Sequence, residues 1–310
     1  MLKGDHLGET GDAVAAAAFY GAVVQLGGEG PSLPPDLQAE VARARAAVAT
    51  HSSEVEAFLV AELRRAGLDG PGGRRVRDSL DMMLGKKRIY LQEPTQYYFP
   101  ELPQVAFYDR DALPWLDPVE AATDAIREEL HAVLADDDAF LPYVEGAANR
   151  PAHDRGPLYG DPSWSAFYLI KAGEPVAGNA ERCPRTLAAL ADVPLCAIPG
   201  RTPQVLFSLL RPGARIPPHT GLLNTRLICH LPLIAPQGCG FRVGHETRSW
   251  VEGRAWAFDD SIEHEAWNES GSLRVVLIFD VWRPELTATE RDLVSVMVAA
   301  TKRVGRGPDA

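Results

Sequence analysis

Residues 204–234 read QVLFSLLRPGARIPPHTGLLNTRLICHLPLI, and residues 253–286 read GRAWAFDDSIEHEAWNESGSLRVVLIFDVWRPEL. Short runs of β-branched, aromatic and aliphatic residues alternate here with Gly, Pro and Asn, which is typical of short strands joined by turns. The same pattern begins upstream at WSAFYLIKAG, residues 164–173. Because no helix-sized segment separates these runs, the sequence predicts a closed or double-sheet β core rather than a doubly wound sheet.

The rest of the chain divides by composition. Residues 1–68 carry Ala-rich patterns at helical spacing, with Asp12 placed to cap a helix. Residues 69–85 include the Gly- and Arg-rich DGPGGRRVRDS and are typical of a linker. Residues 86–290 hold proline-broken loops, an amphipathic helix from Asp117 and the β core, and residues 291–310 a C-terminal helix or tail. We therefore expect an α+β protein with a small helical N-terminal region.

Composition excludes several classes of function. The formal net charge of −11 over 310 residues argues against binding to nucleic acid or to an anionic membrane surface. No apolar run approaches the roughly 20 residues of a membrane span, and the first residues lack the layout of a secretion signal. The four cysteines form no CxxC pair, so we expect reduced, partly buried thiols and a cytoplasmic location.

Two histidines lie in loop contexts beside predicted strands. His219 follows two prolines and precedes a glycine by two positions, and His264 follows a strand and a tight acidic turn. A lone loop histidine is usually a surface residue. Two such histidines at strand edges, with Arg274 ten residues after the second, favour a metal site instead. No acidic residue stands two positions after His219, where Gly221 is found. Any of the four acidic residues that flank His264 could be a more distant third ligand, but acidic residues in a turn are typically solvated or capping; they are Asp259, Asp260, Glu263 and Glu265.

Arg274 opens the otherwise apolar strand RVVLIFDVW. A buried cation is costly unless it is paired, so its partner is either a structural carboxylate or the carboxylate of a ligand. Ser208, on a neighbouring predicted strand, is placed to donate to the same group. In NTRLICHLPLI, alternation places Arg226 and His230 on one face, which is either an anion-binding wall or a solvent-facing surface.

These motifs resemble a known family. HTGLLNTRLICHLPL, WVEGRAWAFDDSIEHEAWN and RVVLIFDVWRPEL are similar to segments of the aspartyl/asparaginyl β-hydroxylases, which are oxygenases dependent on Fe(II) and 2-oxoglutarate. The likeness extends back through DPSWSAFYLIKAG and, more loosely, to residues near 90. The segment from Gly11 to Tyr20 also resembles half of a tetratricopeptide unit, an arrangement found ahead of the domain in family members.

The resemblance implies a double-stranded β-helix, a jelly-roll or cupin-like fold, with roles for its residues. It implies that His219 and His264 hold Fe(II) without a carboxylate and that Arg274 and Ser208 bind the distal carboxylate of 2-oxoglutarate. His230 would then lie near the other end of the co-substrate. Arg226 and Trp164 would lie on the substrate side.

Position 228 departs from the family, which often has an arginine where this chain has Ile228. An aliphatic group makes no charge-assisted bond, so we expect a substrate other than the usual Asp or Asn of an epidermal-growth-factor-like domain. The predicted activity is hydroxylation of an unactivated C–H bond in an Asp/Asn-like residue or in a small amino-acid or peptide derivative. The alternatives are a non-oxygenase cupin-like metal-binding protein and a degenerate interaction module. The N-terminal helices would either bind a protein partner or cap the barrel.

Overall fold

A computed structural model describes residues 1–28, 33–70, 72–144 and 160–301. The chain divides into two compact units, Met1–Ile89 and Tyr90–Ala310. Within the described ranges, no helix has both the length and the apolar character of a membrane span. The α-helices are α1 (Leu2–Glu9), α2 (Ala13–Gly27), α3 (Pro35–Arg65), α4 (Gly73–Met83), α5 (Leu116–Ala121), α6 (Thr123–Leu134), α7 (Pro184–Ala189) and α8 (Ala288–Thr301). The strands are β1 (Leu141–Pro142), β2 (Trp164–Lys171), β3 (Glu174–Pro175), β4 (Val205–Leu210), β5 (Arg215–His219), β6 (Arg226–Ile234), β7 (Cys239–Val243), β8 (Glu246–Ser249), β9 (Trp256–Phe258), β10 (His264–Asn268) and β11 (Arg274–Trp282).

The first unit is helical, as predicted. The Asp12 carboxylate caps α2 by accepting a 3.0 Å hydrogen bond from the Ala15 amide. The helix α3 is continuous because neither Gly nor Pro interrupts it after Pro35. The predicted linker at residues 69–85 instead contains α4, whose Leu80 is buried. The likeness to a tetratricopeptide unit stays a prediction.

The second unit contains two antiparallel sheets. The larger sheet has the order β1-β2-β4-β11-β6-β9, with β3 paired to β2, and the smaller has the order β5-β10-β7-β8. Apolar side chains from both sheets form one core, in which Leu210 and Val276 of the larger sheet meet Ile216 and Phe241 of the smaller. Two facing antiparallel sheets, in which neighbouring strands are often not consecutive in the sequence, form a double-stranded β-helix. The predicted α+β class and jelly-roll core are therefore confirmed.

Helices cover the outer face of the larger sheet. The helix predicted from Asp117 has an apolar stripe that packs in the core on this side. Four of its members are fully buried and Ala122 is partly buried; the four are Val119, Ile126, Leu130 and Val133. The helix predicted from Asp117 is divided, because α5 ends before Ala122 and α6 follows it. The C-terminal helix α8 packs through Val294 and Val298 in a third, smaller cluster, and residues 302–310 of the predicted tail lie outside the described residues.

Strand register brings the predicted site residues together. On β11, Val276 pairs with Ser208 of β4, and Asp280 pairs with Ile228 of β6. Because side chains alternate along a strand, one face of β4, β6 and β11 points between the two sheets. That space is a cavity of about 400 Å³.

Candidate active site

His219 and His264 are cross-strand partners at one mouth of the cavity. His219 ends β5, His264 begins β10, and the two residues are paired in the antiparallel register. Their ring centroids lie 4.1 Å apart. The proline-rich segment before His219 holds that strand at the edge of the smaller sheet, while His264 is buried. The structure therefore brings together the two histidines that the sequence singled out.

In both rings, Nδ1 forms a hydrogen bond with the backbone carbonyl oxygen of the residue two positions earlier. Nδ1 of His219 lies 2.8 Å from the Pro217 carbonyl oxygen, and Nδ1 of His264 lies 3.0 Å from that of Ile262. A carbonyl can only accept, so each Nδ1 carries a proton and each Nε2 is the nitrogen left for another partner. This arrangement is the usual one for imidazoles that bind a metal through Nε2.

Burial keeps the second histidine neutral. Burial first, and then the neighbouring His219, lower the pKa of His264 to about 3. A neutral ring is the form that binds a metal ion. Among the residues that the structure describes, no group of three or more His, Cys, Asp or Glu side chains is placed to hold a metal ion. A metal here would therefore be held by these two rings together with ligands from outside the protein.

Arg274 is a buried cation without a carboxylate partner in the described part of the chain. Only 2% of its surface is exposed, and its Nε makes no hydrogen bond. Its guanidinium carbon lies 5.3 Å from the centroid of the Trp250 ring, and burial lowers its pKa to about 10. Of the two partners that the sequence allowed, a structural carboxylate is not found among the described residues, and a ligand carboxylate stays a prediction.

Ser208 lies beside Arg274 in the same cavity. Its side chain is fully buried, and its Oγ accepts a 3.1 Å hydrogen bond from Nε1 of Trp164. The serine therefore keeps its own proton for a further acceptor. Trp164 in turn stacks on Tyr143, with ring centroids 3.9 Å apart. This contact places Trp164 between the serine and the outer part of the cavity.

His230 lines the same cavity among aromatic rings. Phe258, Phe241 and Trp250 lie with centroids 5.0 Å, 5.1 Å and 5.3 Å from its own. Its Nδ1 is buried without a hydrogen-bond partner. Burial, followed by the positive charge of Arg274, holds the pKa of His230 well below its usual value. It is a neutral imidazole with an unused polar atom.

Arg226 is buried and ion-paired rather than free. Its Nη1 donates to Asp280 at 2.7 Å, and its Nη2 donates to Asp260 at 3.0 Å. Burial raises the pKa of both carboxyls, and the arginine opposes that rise. The solvent-facing alternative for this face of the strand is wrong. So is the expectation of a solvated acidic turn, because Asp259 is also buried and pairs with Arg283 at 2.8 Å.

All seven candidate residues line the one cavity between the sheets. Sequence reasoning missed several of its other members, including Asp260 and Asp280. The presence of Arg226 on an inward face of β6 could have indicated a buried acidic partner. Strand alternation alone does not identify which acidic residue that is. Further lining side chains that sequence reasoning missed include Tyr143, Gln204, Leu206 and Ile278.

Comparison with known proteins identifies the family. The sequence model described as aspartyl/asparaginyl beta-hydroxylase matches residues 120–284, which is more than half of the chain and includes every candidate site residue. Among curated relatives, aspartyl/asparaginyl beta-hydroxylase of Mus musculus is 41% identical over 41% of this chain and 17% of its own length. Aspartate beta-hydroxylase domain-containing protein 2 of Homo sapiens is 31% identical over 68% of this chain and 56% of its own.

A bacterial relative is similar over a comparable region. Ornithine lipid ester-linked acyl 2-hydroxylase of Rhizobium tropici is 36% identical over 57% of this chain and 60% of its own length. The match covers 56% of the length of the human protein and 17% of the length of the mouse protein. The matched region contains both sheets and their shared cavity. On this evidence the chain belongs to the aspartyl/asparaginyl β-hydroxylase family.

Proposed function

We propose that this protein is a hydroxylase that uses Fe(II) and 2-oxoglutarate. Its substrate would be an Asp/Asn-like residue or a small amino-acid or peptide derivative with an unactivated C–H bond. The observation that carries the proposal is the pairing, in one cavity, of a buried cation that has no ion-pair partner among the described residues with two adjacent histidines. Arg274 supplies the cation, and His219 and His264 supply the metal-binding nitrogens.

The donor set fits iron. His219 and His264 would hold the metal through Nε2, since each Nδ1 is used by a backbone carbonyl. Bound iron, with 2-oxoglutarate and dioxygen, would couple decarboxylation of the co-substrate to succinate and CO₂ with hydroxylation of the substrate. The protein positions the reactants and excludes water from the cavity.

The opposite end of the cavity fits a dicarboxylate. A guanidinium fork binds a carboxylate with two parallel hydrogen bonds, and Arg274 has no competing carboxylate among the described residues. The Ser208 hydroxyl adds a donor because its oxygen already accepts from Trp164. The neutral His230 ring adds a further polar contact without a second positive charge. Together these groups would hold 2-oxoglutarate by its distal carboxylate.

The test is release of succinate from 2-oxoglutarate in the presence of Fe(II). Wild type is compared with His219→Ala, His264→Ala and Arg274→Ala, and with His131→Ala as a control on helix α6, away from the cavity. We expect turnover in wild type and the control and a loss of at least about 100-fold in the three site variants, by analogy with other metal-site deletions. Undiminished turnover in all three would show the site assignment to be wrong.

A further inference from the structure

A second, smaller cavity of about 160 Å³ adjoins the first. The two share Tyr143, Gln204, Leu222 and Arg226 as lining residues. We call the smaller one the outer pocket and define it by the side chains that it does not share, among them Gln96, Tyr168, Arg201 and Thr202. A ligand that reaches the two histidines from this side would lie in both cavities. The outer pocket is therefore a place where a substrate could be recognised.

The outer pocket is lined by two arginines that differ in their partners. Arg226 and Arg201 are the charged side chains that line it. Arg226 is neutralised by Asp260 and Asp280, whereas Arg201 has no ion pair with any residue in the described ranges.

Arg201 is held in place by neutral groups. Its Nη1 donates to Oε1 of Gln96 at 3.2 Å, and its Nη2 donates to Oγ1 of Thr301 at 3.0 Å. Its Nε is buried without a hydrogen-bond partner. These contacts fix the guanidinium while leaving its charge uncompensated. A fixed guanidinium with an unpaired charge is well suited to bind an anionic ligand.

The first cavity, which holds the two histidines, is lined by apolar side chains and by carboxylates that are paired with Arg226. Ile228 and Leu222 line it where a charged contact would otherwise be made. Asp280 pairs with Ile228 across the strands, and its charge is already used by Arg226. An acidic group next to the reacting carbon would therefore find no free cation there. A remote anionic group would find Arg201.

We propose that Arg201 binds an anionic group of the substrate, a carboxylate or a phosphate, and that an apolar segment of the substrate reaches from there to the metal. This inference rests on the proposed function, because it places the reacting carbon beside His219 and His264. Within the proposed substrate class, it favours an amino-acid or peptide derivative whose anionic group is remote from the hydroxylated carbon. Arg201 is thus a specificity-determining residue.

The test uses three six-carbon probes that differ at one end: hexanoate, hexyl phosphate and hexanamide. Each is titrated by calorimetry into the full chain with Fe(II) and saturating 2-oxoglutarate, without oxygen. We expect at least one anion to bind about tenfold more tightly than hexanamide, as a charge-assisted contact predicts. The preferred anion distinguishes a carboxylate from a phosphate. Arg201→Gln should remove the preference, Arg201→Lys should keep part of it, and the exposed Arg211→Gln, outside both cavities, should leave it unchanged.

The same titrations in an Arg274→Met background separate this inference from the proposed function. That variant removes the inner cation, so any remaining anion preference belongs to Arg201 whether or not 2-oxoglutarate binds. Failure of 2-oxoglutarate to bind would contradict the proposed function alone. Equal affinities for the three probes in wild type, or an anion preference that survives Arg201→Gln, would overturn the present proposal.

Discussion

The carboxylate of Asp260 occupies the space that a side chain at Gly221 would need. A Cβ built on Gly221 would lie 1.9 Å from Oδ2 of Asp260, and the Gly221 amide donates to the Asp260 carbonyl oxygen at 2.6 Å. Position 221 is therefore closed to larger residues by a buried, arginine-paired carboxylate. This contact gives a physical reason why a third protein ligand is absent two residues after His219.

Substitution of Gly221 should destabilise the fold rather than complete a metal site. Gly221→Ala should lower the free energy of unfolding by about 1–3 kcal/mol, the usual cost of overpacking, and Gly221→Asp should cost more because it adds a like charge beside Asp260. Denaturant unfolding measures both changes. Gly271→Ala is the matched control, since a Cβ there would meet nothing within 4 Å. Equal stability of the Gly221 and Gly271 variants would contradict this account.

Removal of Arg226 should be costly because it leaves two buried carboxylates unpaired. We expect Arg226→Met to lower the free energy of unfolding by about 3–5 kcal/mol, as for other broken buried pairs. Adding Asp260→Asn and Asp280→Asn should recover a part of that loss. Arg215→Met is the control, because its ion pairs with Glu265 and Glu269 are half exposed and should contribute about 1 kcal/mol or less. A cost no larger than that of Arg215→Met would show the network to be dispensable.

His230 should make the metal-free protein sensitive to acid. Its pKa is held well below the usual value in the folded state, whereas in the unfolded chain it returns to about 6.5. The unfolded state alone binds the proton below that pH, so stability is complete above about pH 6.5 and falls as the pH is lowered. The expected loss from this group is about 1.4 kcal/mol per pH unit.

Denaturant unfolding at several pH values between 7.5 and 5, with a chelator present, measures this loss. In His230→Leu the slope with pH should be smaller by that amount, while the remaining groups titrate as in wild type. Parallel profiles for the two proteins would contradict the neutral, buried state of His230.

Loss of either metal-binding ring should remove metal binding without unfolding the chain. We expect His264→Ala to weaken binding of Co(II), a spectroscopic substitute for Fe(II), by at least about tenfold, with His219→Ala behaving alike. Visible absorption during a Co(II) titration gives the affinity, and circular dichroism checks the fold. His131→Ala should bind as wild type does. Metal binding that survives both cavity variants would place the metal elsewhere.

Sequence periodicity was enough to predict the β core and the placement of some of its cavity residues. Alternation in β6 placed Arg226 and His230 on one face, and the apolar run of β11 made the burial of Arg274 predictable. The order of short strands separated by turns indicated two packed sheets. These features are local, since each depends on residues close together in the chain.

The contacts that depend on folding in three dimensions were not predictable. Asp260 lies in a turn that reads as solvated, yet it is buried because Arg226, 34 residues away, pairs with it. Asp280 lies near the end of β11, where it is buried and paired with the same arginine. The helix α4 was also missed, because the glycines before it obscure an amphipathic segment that buries Leu80.

The central claim is that Arg274 selects a dicarboxylate co-substrate beside the two histidines. Anaerobic calorimetry on the Fe(II)-loaded chain tests it most directly, with 2-oxoglutarate compared with 2-oxopentanoate, which lacks the distal carboxylate. Wild type should prefer 2-oxoglutarate by at least about tenfold, and Arg274→Met should bind the two equally. Equal affinities in wild type, or an unchanged preference in Arg274→Met, would contradict the claim.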